Sequence, residues 1–132
     1  MFRILIVDDE TLQRDGIAEM LRLRNPDDLI TEARDGLEAL SIIRAIKPGI
    51  VLTDIRMPNL SGLDLLKNIK QEAPETQVIV ISGYNEFEYA KKALQHNASD
   101  YLLKPIDEKE LAEVIKNARI ARLKVSKPCN LC

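Results

Sequence analysis

Several residue types that mark particular classes of protein are scarce or missing in this chain. Its 132 residues include no tryptophan, one histidine and two cysteines. Cys129 and Cys132 form a single CxxC at the very end of the chain. A zinc site needs a second pair of ligands, and the sequence has none. A redox CxxC is expected next to a strand, and no predicted strand directly precedes this one. We therefore expect no functional role for these two cysteines.

The chain also has no long apolar run and no strong excess of one charge. No apolar stretch approaches the roughly 20 residues that span a membrane, and the start, MFRILIVDDE, has no secretory signal pattern. The formal net charge of -2 gives no overall argument for binding to nucleic acid or to a membrane. We therefore expect a cytoplasmic protein with no membrane partner. Its length suits one domain with a sizeable core and is too short for two.

Apolar runs alternate with amphipathic segments five times along the chain. Strands are predicted at residues 3–8, 29–33, 50–54, 78–82 and 100–104. The first of them, RILIVD, carries a continuous apolar run, which is typical of a strand buried on both faces.

Helices are predicted between the strands and after the last one. The first covers residues 10–23, and the fifth begins at Asp107 and extends as far as Leu123. The apolar residues that mark the three middle helices are Leu37, Ala39, Leu40 and Ile43; Leu63, Leu66 and Ile69; and Phe87, Ala90, Ala93 and Leu94. Lys47-Pro48-Gly49 and Pro74 predict helix ends, and Asn97 is predicted to adopt a left-handed cap conformation.

This alternation predicts an α/β fold with five βα units. Parallel strands need crossover connections, and such crossovers are right-handed. Five units are too few for an eight-stranded barrel, so we expect a doubly wound, three-layer sandwich.

Chemically useful side chains lie at the carboxyl ends of four of the predicted strands. They are Asp8 and Asp9, Asp54, Ser82 and Lys104. The carboxyl ends of the strands in an open parallel sheet form the edge at which ligands bind. Carboxylates that meet there repel one another and need a cation, and oxygen ligands of this kind suit Mg²⁺. Each residue alone is equally typical of a strand end, a helix cap or a turn, but their occurrence together favours a site.

Four segments at these strand ends are similar to one protein family. VDDE, TDIRMPNLSGLDLL, VIVISGY and ASDYLLKP occur in the order and at the positions found in the receiver domain of two-component response regulators. The resemblance covers Phe2 to Leu123. It implies a receiver domain at residues 1–123, with residues 124–132 as a tail or the start of a linker to an output domain. It also implies a flavodoxin-like sheet with the strand order 2-1-3-4-5.

The resemblance assigns a role to each residue of the set. Asp54 matches the phosphoacceptor, Lys104 the lysine that pairs with a phosphoryl oxygen, and Ser82 the hydroxyl that meets the phosphoryl group. Ser82 and Tyr101 match the two switch residues, which move together on activation. The implied Mg²⁺ ligands are Asp8 (usually through water), Asp9, Asp54 and the backbone carbonyl of Arg56. The Lys104-Pro105 peptide bond is expected to be cis.

The same resemblance implies partners and an output. A sensor histidine kinase would supply the phosphoryl group, and the protein would catalyse only its own phosphorylation and dephosphorylation. The altered surface would be that of the fourth helix, fifth strand and fifth helix, where a homodimer is possible. SGYNEFEYAKKAL and ASDYLLKPI are similar to receivers attached to an AraC-type DNA-binding domain, which suggests control of transcription. A stand-alone receiver that acts by protein contacts is the alternative.

Other functions of similar architecture fit the sequence less well. A haloacid dehalogenase-type hydrolase also uses a strand-end aspartate, Mg²⁺ and a lysine, but it needs a second aspartate where this chain has Arg56. A nucleotide- or flavin-binding domain needs a glycine- or hydroxyl-rich loop after the first strand. That loop is DDETLQRD here, which is acidic and has no glycine. A degenerate receiver is disfavoured because every site position holds a competent residue. Arg56 and Tyr84 are bulky enough beside the expected site to slow dephosphorylation.

Overall fold

The computed structural model of the chain describes residues 2–83 and 86–126, with side chains as far as residue 124. Within these residues five strands alternate with five helices. The strands are β1 (Arg3–Val7), β2 (Leu29–Ala33), β3 (Ile50–Asp54), β4 (Gln77–Ser82) and β5 (Asp100–Leu103). The helices are α1 (Thr11–Arg24), α2 (Gly36–Ile46), α3 (Gly62–Glu72), α4 (Phe87–Gln95) and α5 (Glu108–Ser126).

The strands form one parallel sheet in the order β2-β1-β3-β4-β5. This order and the alternation of strands and helices confirm the predicted flavodoxin-like fold. In the register of the central pairs, Ile6 lies beside Leu52, and Asp54 lies beside Ile81. The sheet therefore brings the ends of β1, β3 and β4 to one edge.

Two apolar clusters pack on opposite faces of the sheet. Ile4 and Ile6 of β1 belong to the cluster that includes buried residues of α1 and α5. Leu5 and Val7 belong to the cluster that includes residues of α2 and α3. Successive residues of a strand point to opposite faces, so a strand between two helix layers must be apolar at every position. This explains the continuous run in β1.

Most of the predicted helix ends agree with the structure. Asp35 and Ser61 cap α2 and α3 by accepting the N–H groups of residues three positions later. Asn97 has the predicted left-handed conformation, with φ of 71°. The fifth helix begins one residue later than predicted and continues beyond Leu123 to Ser126. The Lys104-Pro105 bond is cis, as expected.

Some of the apolar residues that marked the helices lie outside the core. Leu37 in α2, and Phe87 and Leu94 in α4, expose 56%, 52% and 41% of their surface. The buried side of α4 consists of Ala90 and Ala93 instead. The pattern identified these helices correctly, but their contact with the core is narrower than the pattern suggests.

None of the helices within residues 2–83 and 86–126 has the length and hydropathy needed to cross a membrane.

Candidate functional site

Three carboxylates meet at the carboxyl edge of the sheet. Asp8 and Asp9 follow β1, and Asp54 is the last residue of β3. One oxygen from each of the three lies within 4.8 Å of the others. Asp8 and Asp54 are almost fully buried, whereas Asp9 is exposed. The structure therefore brings together the three acidic residues that the sequence predicted as one group.

The Asp54 carboxylate has one strongly bonded oxygen and one that is left open. Lys104 Nζ donates a hydrogen bond to Asp54 Oδ2 at 3.0 Å. Asp54 Oδ1 is buried and receives no hydrogen bond of normal geometry. Burial raises the pKa of Asp54, and Lys104 and the nearby backbone N–H groups of Arg56 and Ile55 oppose that rise. Asp54 is thus a buried carboxylate with a free oxygen at a ligand-binding edge.

Asp8 is held from both its side chain and its backbone. Its Oδ1 accepts the N–H of Glu10 at 2.9 Å, and its carbonyl accepts a hydrogen bond from Arg14 at 2.8 Å. Its Oδ2 is buried without a partner. Burial, together with the nearby charges of Asp54 and Asp9, raises the pKa of Asp8 to about 6, against the opposing effects of the Glu10 N–H and of Lys104. These contacts therefore hold Asp8 in place, while its burial makes the charged form of the carboxylate less stable.

Lys104 is the cation of this cluster. Its ammonium also lies 4.0 Å from a carboxylate oxygen of Glu10. Burial lowers the pKa of Lys104, but the hydrogen bond to Asp54 and the charges of Asp54, Asp8 and Glu10 together outweigh burial, so the net shift is upward. One positive charge therefore faces several carboxylates, which leaves the cluster with an excess of negative charge.

Gly62 fixes the backbone on the far side of Asp54. Its N–H donates to the carbonyl of Ile55 at 2.8 Å. A Cβ at Gly62 would lie 2.2 Å from the carbonyl oxygen of Asp54 and 2.7 Å from the Cα of Ile55. Such distances leave room only for glycine. The first residue of α3 therefore packs directly against the end of the strand that carries Asp54.

The two predicted switch residues lie on neighbouring strands. Ser82 ends β4 and is fully buried, and its hydroxyl has no hydrogen-bond partner. Tyr101 in β5 pairs with Val80 and is partly buried against the cluster that includes Val80. An unpaired buried hydroxyl beside the acidic cluster is costly unless a ligand completes its hydrogen bonding.

One polar group beside the site was not anticipated from the sequence. Glu86, between β4 and α4, is 8% exposed as a residue, and its carboxylate accepts the N–H of Gly83 at 2.6 Å. Its other oxygen lies 3.5 Å from Nε of Arg56. Glu86 directly precedes a helix, where a glutamate is an ordinary residue, so no spacing or motif singles it out. Tyr84 and the CxxC cysteines lie outside the described residues.

The sequence model of the response regulator receiver domain matches residues 4–116. The chain belongs to this family. It is a receiver domain of a two-component response regulator, as its motifs indicated.

The relatives of this receiver domain include named transcriptional regulators. An uncharacterized response regulatory protein of Staphylococcus epidermidis is 43% identical over 116 residues, and the transcriptional regulatory protein HptR of Staphylococcus aureus is 41% identical. Both alignments cover 87% of this chain and 45% of the relative, so the chain spans a little under half the length of these curated relatives. The crystal structure of a two component transcriptional regulator AraC from Clostridium phytofermentans is 39% identical, with a TM-score of 0.86. That match covers 94% of this chain and 97% of the other.

The acidic cluster of the receiver domain suits a hard divalent cation. All of its donors are carboxylate oxygens, which Mg²⁺ prefers. Two of these oxygens, Asp8 Oδ2 and Asp54 Oδ1, are buried without hydrogen-bond partners. A cation would satisfy both atoms and offset the excess negative charge, so the residues present fit the metal that the family implies.

Proposed function

We propose that Asp54 accepts a phosphoryl group from the phosphohistidine of a sensor histidine kinase. The observation that carries this proposal is the state of the Asp54 carboxylate. It is buried, one oxygen is held by Lys104 at 3.0 Å, and the other has no hydrogen bond of normal geometry. In the transfer, the bond between phosphorus and the imidazole nitrogen breaks, and a bond between phosphorus and an Asp54 oxygen forms. The electron pair of the broken bond remains on the histidine.

The residues around Asp54 would mainly position groups and neutralise charge, as phosphoryl transfer requires. Lys104 holds the carboxylate in place and supplies a positive charge for a phosphoryl oxygen. Ser82 supplies a hydroxyl that is unpaired and free to donate to that group. Ser82 ends β4 and Lys104 directly follows β5, so both side chains lie on the β4–β5 side of Asp54.

We assign the Mg²⁺ ligands to Asp8, Asp9, Asp54 and the backbone carbonyl of Arg56. The bound cation would neutralise the acidic cluster and the transferred phosphoryl group. Asp8 must be deprotonated to bind a cation, so its raised pKa predicts weaker binding below about pH 6.

Phosphorylation would alter the face formed by α4, β5 and α5. A phosphoryl oxygen offers Ser82 the acceptor that it lacks, and Tyr101 on the neighbouring strand would adjust its packing. We propose that this face forms a homodimer, because Phe87, Leu94 and Leu103 are exposed on it. Sedimentation with and without beryllofluoride tests this assignment, and a monomer in both conditions at high concentration contradicts it.

The output that we propose is control of transcription through a C-terminal DNA-binding domain of the AraC type, joined through residues 124–132. Support comes from the names of HptR and of the AraC regulator, and from the length of the relatives. The receiver itself would contact DNA only through that domain, and such a regulator acts in the cytoplasm. A stand-alone receiver is the alternative, and the length of the natural gene product decides between the two.

The phosphoacceptor assignment is tested by intact mass after incubation with Mg²⁺ and acetyl phosphate. We expect the gain of one phosphoryl group, which EDTA prevents and Asp54→Asn abolishes. A gain that persists in Asp54→Asn would move the modification to another residue. If no phosphoryl group is gained with acetyl phosphate, with other small donors or with purified histidine kinases, the proposal fails.

A further inference from the structure

One ion pair joins the two loops that flank Asp54. Arg56 lies in the loop after β3, two residues beyond Asp54, and Glu86 lies in the loop after β4. The Nε atom of Arg56 is 3.5 Å from Oε2 of Glu86. The two members differ in exposure, since 65% of the Arg56 side chain is exposed but only 11% of the Glu86 side chain. Glu86 is therefore the anchored member of the pair.

The Glu86 carboxylate also fixes the backbone next to Ser82. Its Oε1 accepts the N–H of Gly83, the residue after Ser82, at 2.6 Å. The backbone N–H of Glu86 donates in turn to the carbonyl of Gly83 at 3.1 Å. A nearly buried carboxylate is stable only when donors of this kind surround it. The position of Gly83, and with it that of Ser82, therefore depends on Glu86.

Arg56 connects the same contact to the fourth helix. Its guanidinium carbon lies 5.7 Å from the centre of the Tyr89 ring, in the first turn of α4. The backbone N–H of Arg56 is close enough to the Asp54 carboxylate to lower its pKa. Arg56 thus contacts the phosphoacceptor through its backbone, and it contacts both α4 and Glu86 through its side chain.

We propose that Glu86, together with Arg56, is a positioning residue that favours the unphosphorylated arrangement of Ser82 and α4. This inference rests on the proposed phosphorylation of Asp54. A phosphoryl group carries about 1.5 to 2 negative charges at neutral pH. That charge attracts Arg56 and repels Glu86, so the pair is weaker in the phosphorylated protein. An interaction that is stronger in one state opposes the change to the other state.

The decisive variant is Glu86→Gln, which keeps an oxygen that can accept the Gly83 N–H but removes the charge. We expect it to bind beryllofluoride, in the presence of Mg²⁺, about three to ten times more tightly than the wild type, because the pair is partly exposed. Glu88→Gln removes an equal charge from an exposed residue in the first turn of α4, two positions later, and it should leave the affinity unchanged. In an Arg56→Gln background, Glu86→Gln should have little further effect.

A second readout tests the contact in the metal-free protein. The short hydrogen bond to a carboxylate should place the Gly83 amide proton downfield in the NMR spectrum, and Glu86→Gln should move it upfield while Glu88→Gln does not. If the amide proton does not move, the contact that we infer is absent and the proposal is overturned. A general loss of stability would weaken the binding of beryllofluoride rather than strengthen it.

The outcomes separate this inference from the proposed function. If the wild type binds Mg²⁺ and beryllofluoride, but Glu86→Gln binds the analogue equally or more weakly, the role of Glu86 is overturned and the phosphoacceptor assignment stands. If the wild type binds neither, the assignment of the site fails, and the role of Glu86 fails with it.

Discussion

Replacing Asp8 by asparagine should stabilise the metal-free protein, although Asp8 belongs to the proposed metal site. Folding raises the pKa of Asp8 from 3.8 to about 6 because the carboxylate loses solvation beside other acidic groups. Since each pKa unit is worth about 1.4 kcal/mol, the charged form of Asp8 destabilises the folded state by about 3 kcal/mol at neutral pH. Asparagine keeps an oxygen for the Glu10 N–H and carries no charge. We expect Asp8→Asn to recover most of this free energy.

The dependence on pH has a definite sign. A carboxyl group with a raised pKa binds its proton more tightly in the folded protein, so its contribution favours folding at low pH. That contribution is present below about pH 4 and is lost as the pH rises through about 6. The difference in unfolding free energy between Asp8→Asn and the wild type should therefore grow from pH 4 to 7, because asparagine does not titrate.

The assay is urea unfolding in EDTA, followed by far-ultraviolet circular dichroism because the chain has no tryptophan. Asp15→Asn, which removes an exposed carboxylate from α1, is the matched control and should change little. Mg²⁺ at about 1,000 times its Kd should reverse the order, since it adds about 4.1 kcal/mol to the protein that binds it, which exceeds the gain from the substitution. If Asp8→Asn is no more stable than the wild type in EDTA at any pH, burial of Asp8 does not destabilise the fold.

Three further predictions concern other parts of the site. Lys104→Ala should lower the free energy of unfolding in EDTA by about 1–3 kcal/mol at pH 7, because it leaves buried carboxylates without their cation. Much of this stability should return near pH 4, where the carboxylates bind protons, and urea unfolding curves at the two pH values measure the difference. Gly62→Ala should destabilise the fold by about 1–3 kcal/mol through its clash with the backbone of residues 54 and 55, whereas urea unfolding of Gly16→Ala, where the new Cβ has open space, should show no such loss. Replacing Arg56 and Tyr84 together with small residues should speed the loss of the phosphoryl group measured by intact mass, and an unaltered decay rate would contradict the proposed hindrance of the attacking water.

The strand ends were predictable from the sequence because their signal is local. RILIVD and IVLTD are apolar runs that stop at an aspartate, and parallel pairing places such ends side by side. The same rule placed Lys104 at this edge, but its hydrogen bond to Asp54, 50 residues away, is visible only in the structure. The strand order itself came from the resemblance to receiver domains, and the structure confirms it.

Contacts made by loops and outer helix faces could not be predicted in this way. Glu86 owes its place to contacts with Gly83 and Arg56, which no period in the sequence encodes. Phe87 and Leu94 have helical spacing, but that spacing is the same whether an apolar side chain faces the core or the surface. The narrow buried side of α4, formed by alanines, becomes visible only when the helix is placed on the sheet.

The packing of Gly62 against the end of β3 has a consequence for how sequences of this fold can diverge. Because the backbone of α3 touches the backbone of Asp54, the separation between this helix and the phosphoacceptor is set by main-chain atoms. Side chains on the outer surface of the domain can therefore change from one protein to another without altering that separation. Recognition of different partners can evolve on those surfaces while the geometry of the reacting carboxylate is inherited unchanged.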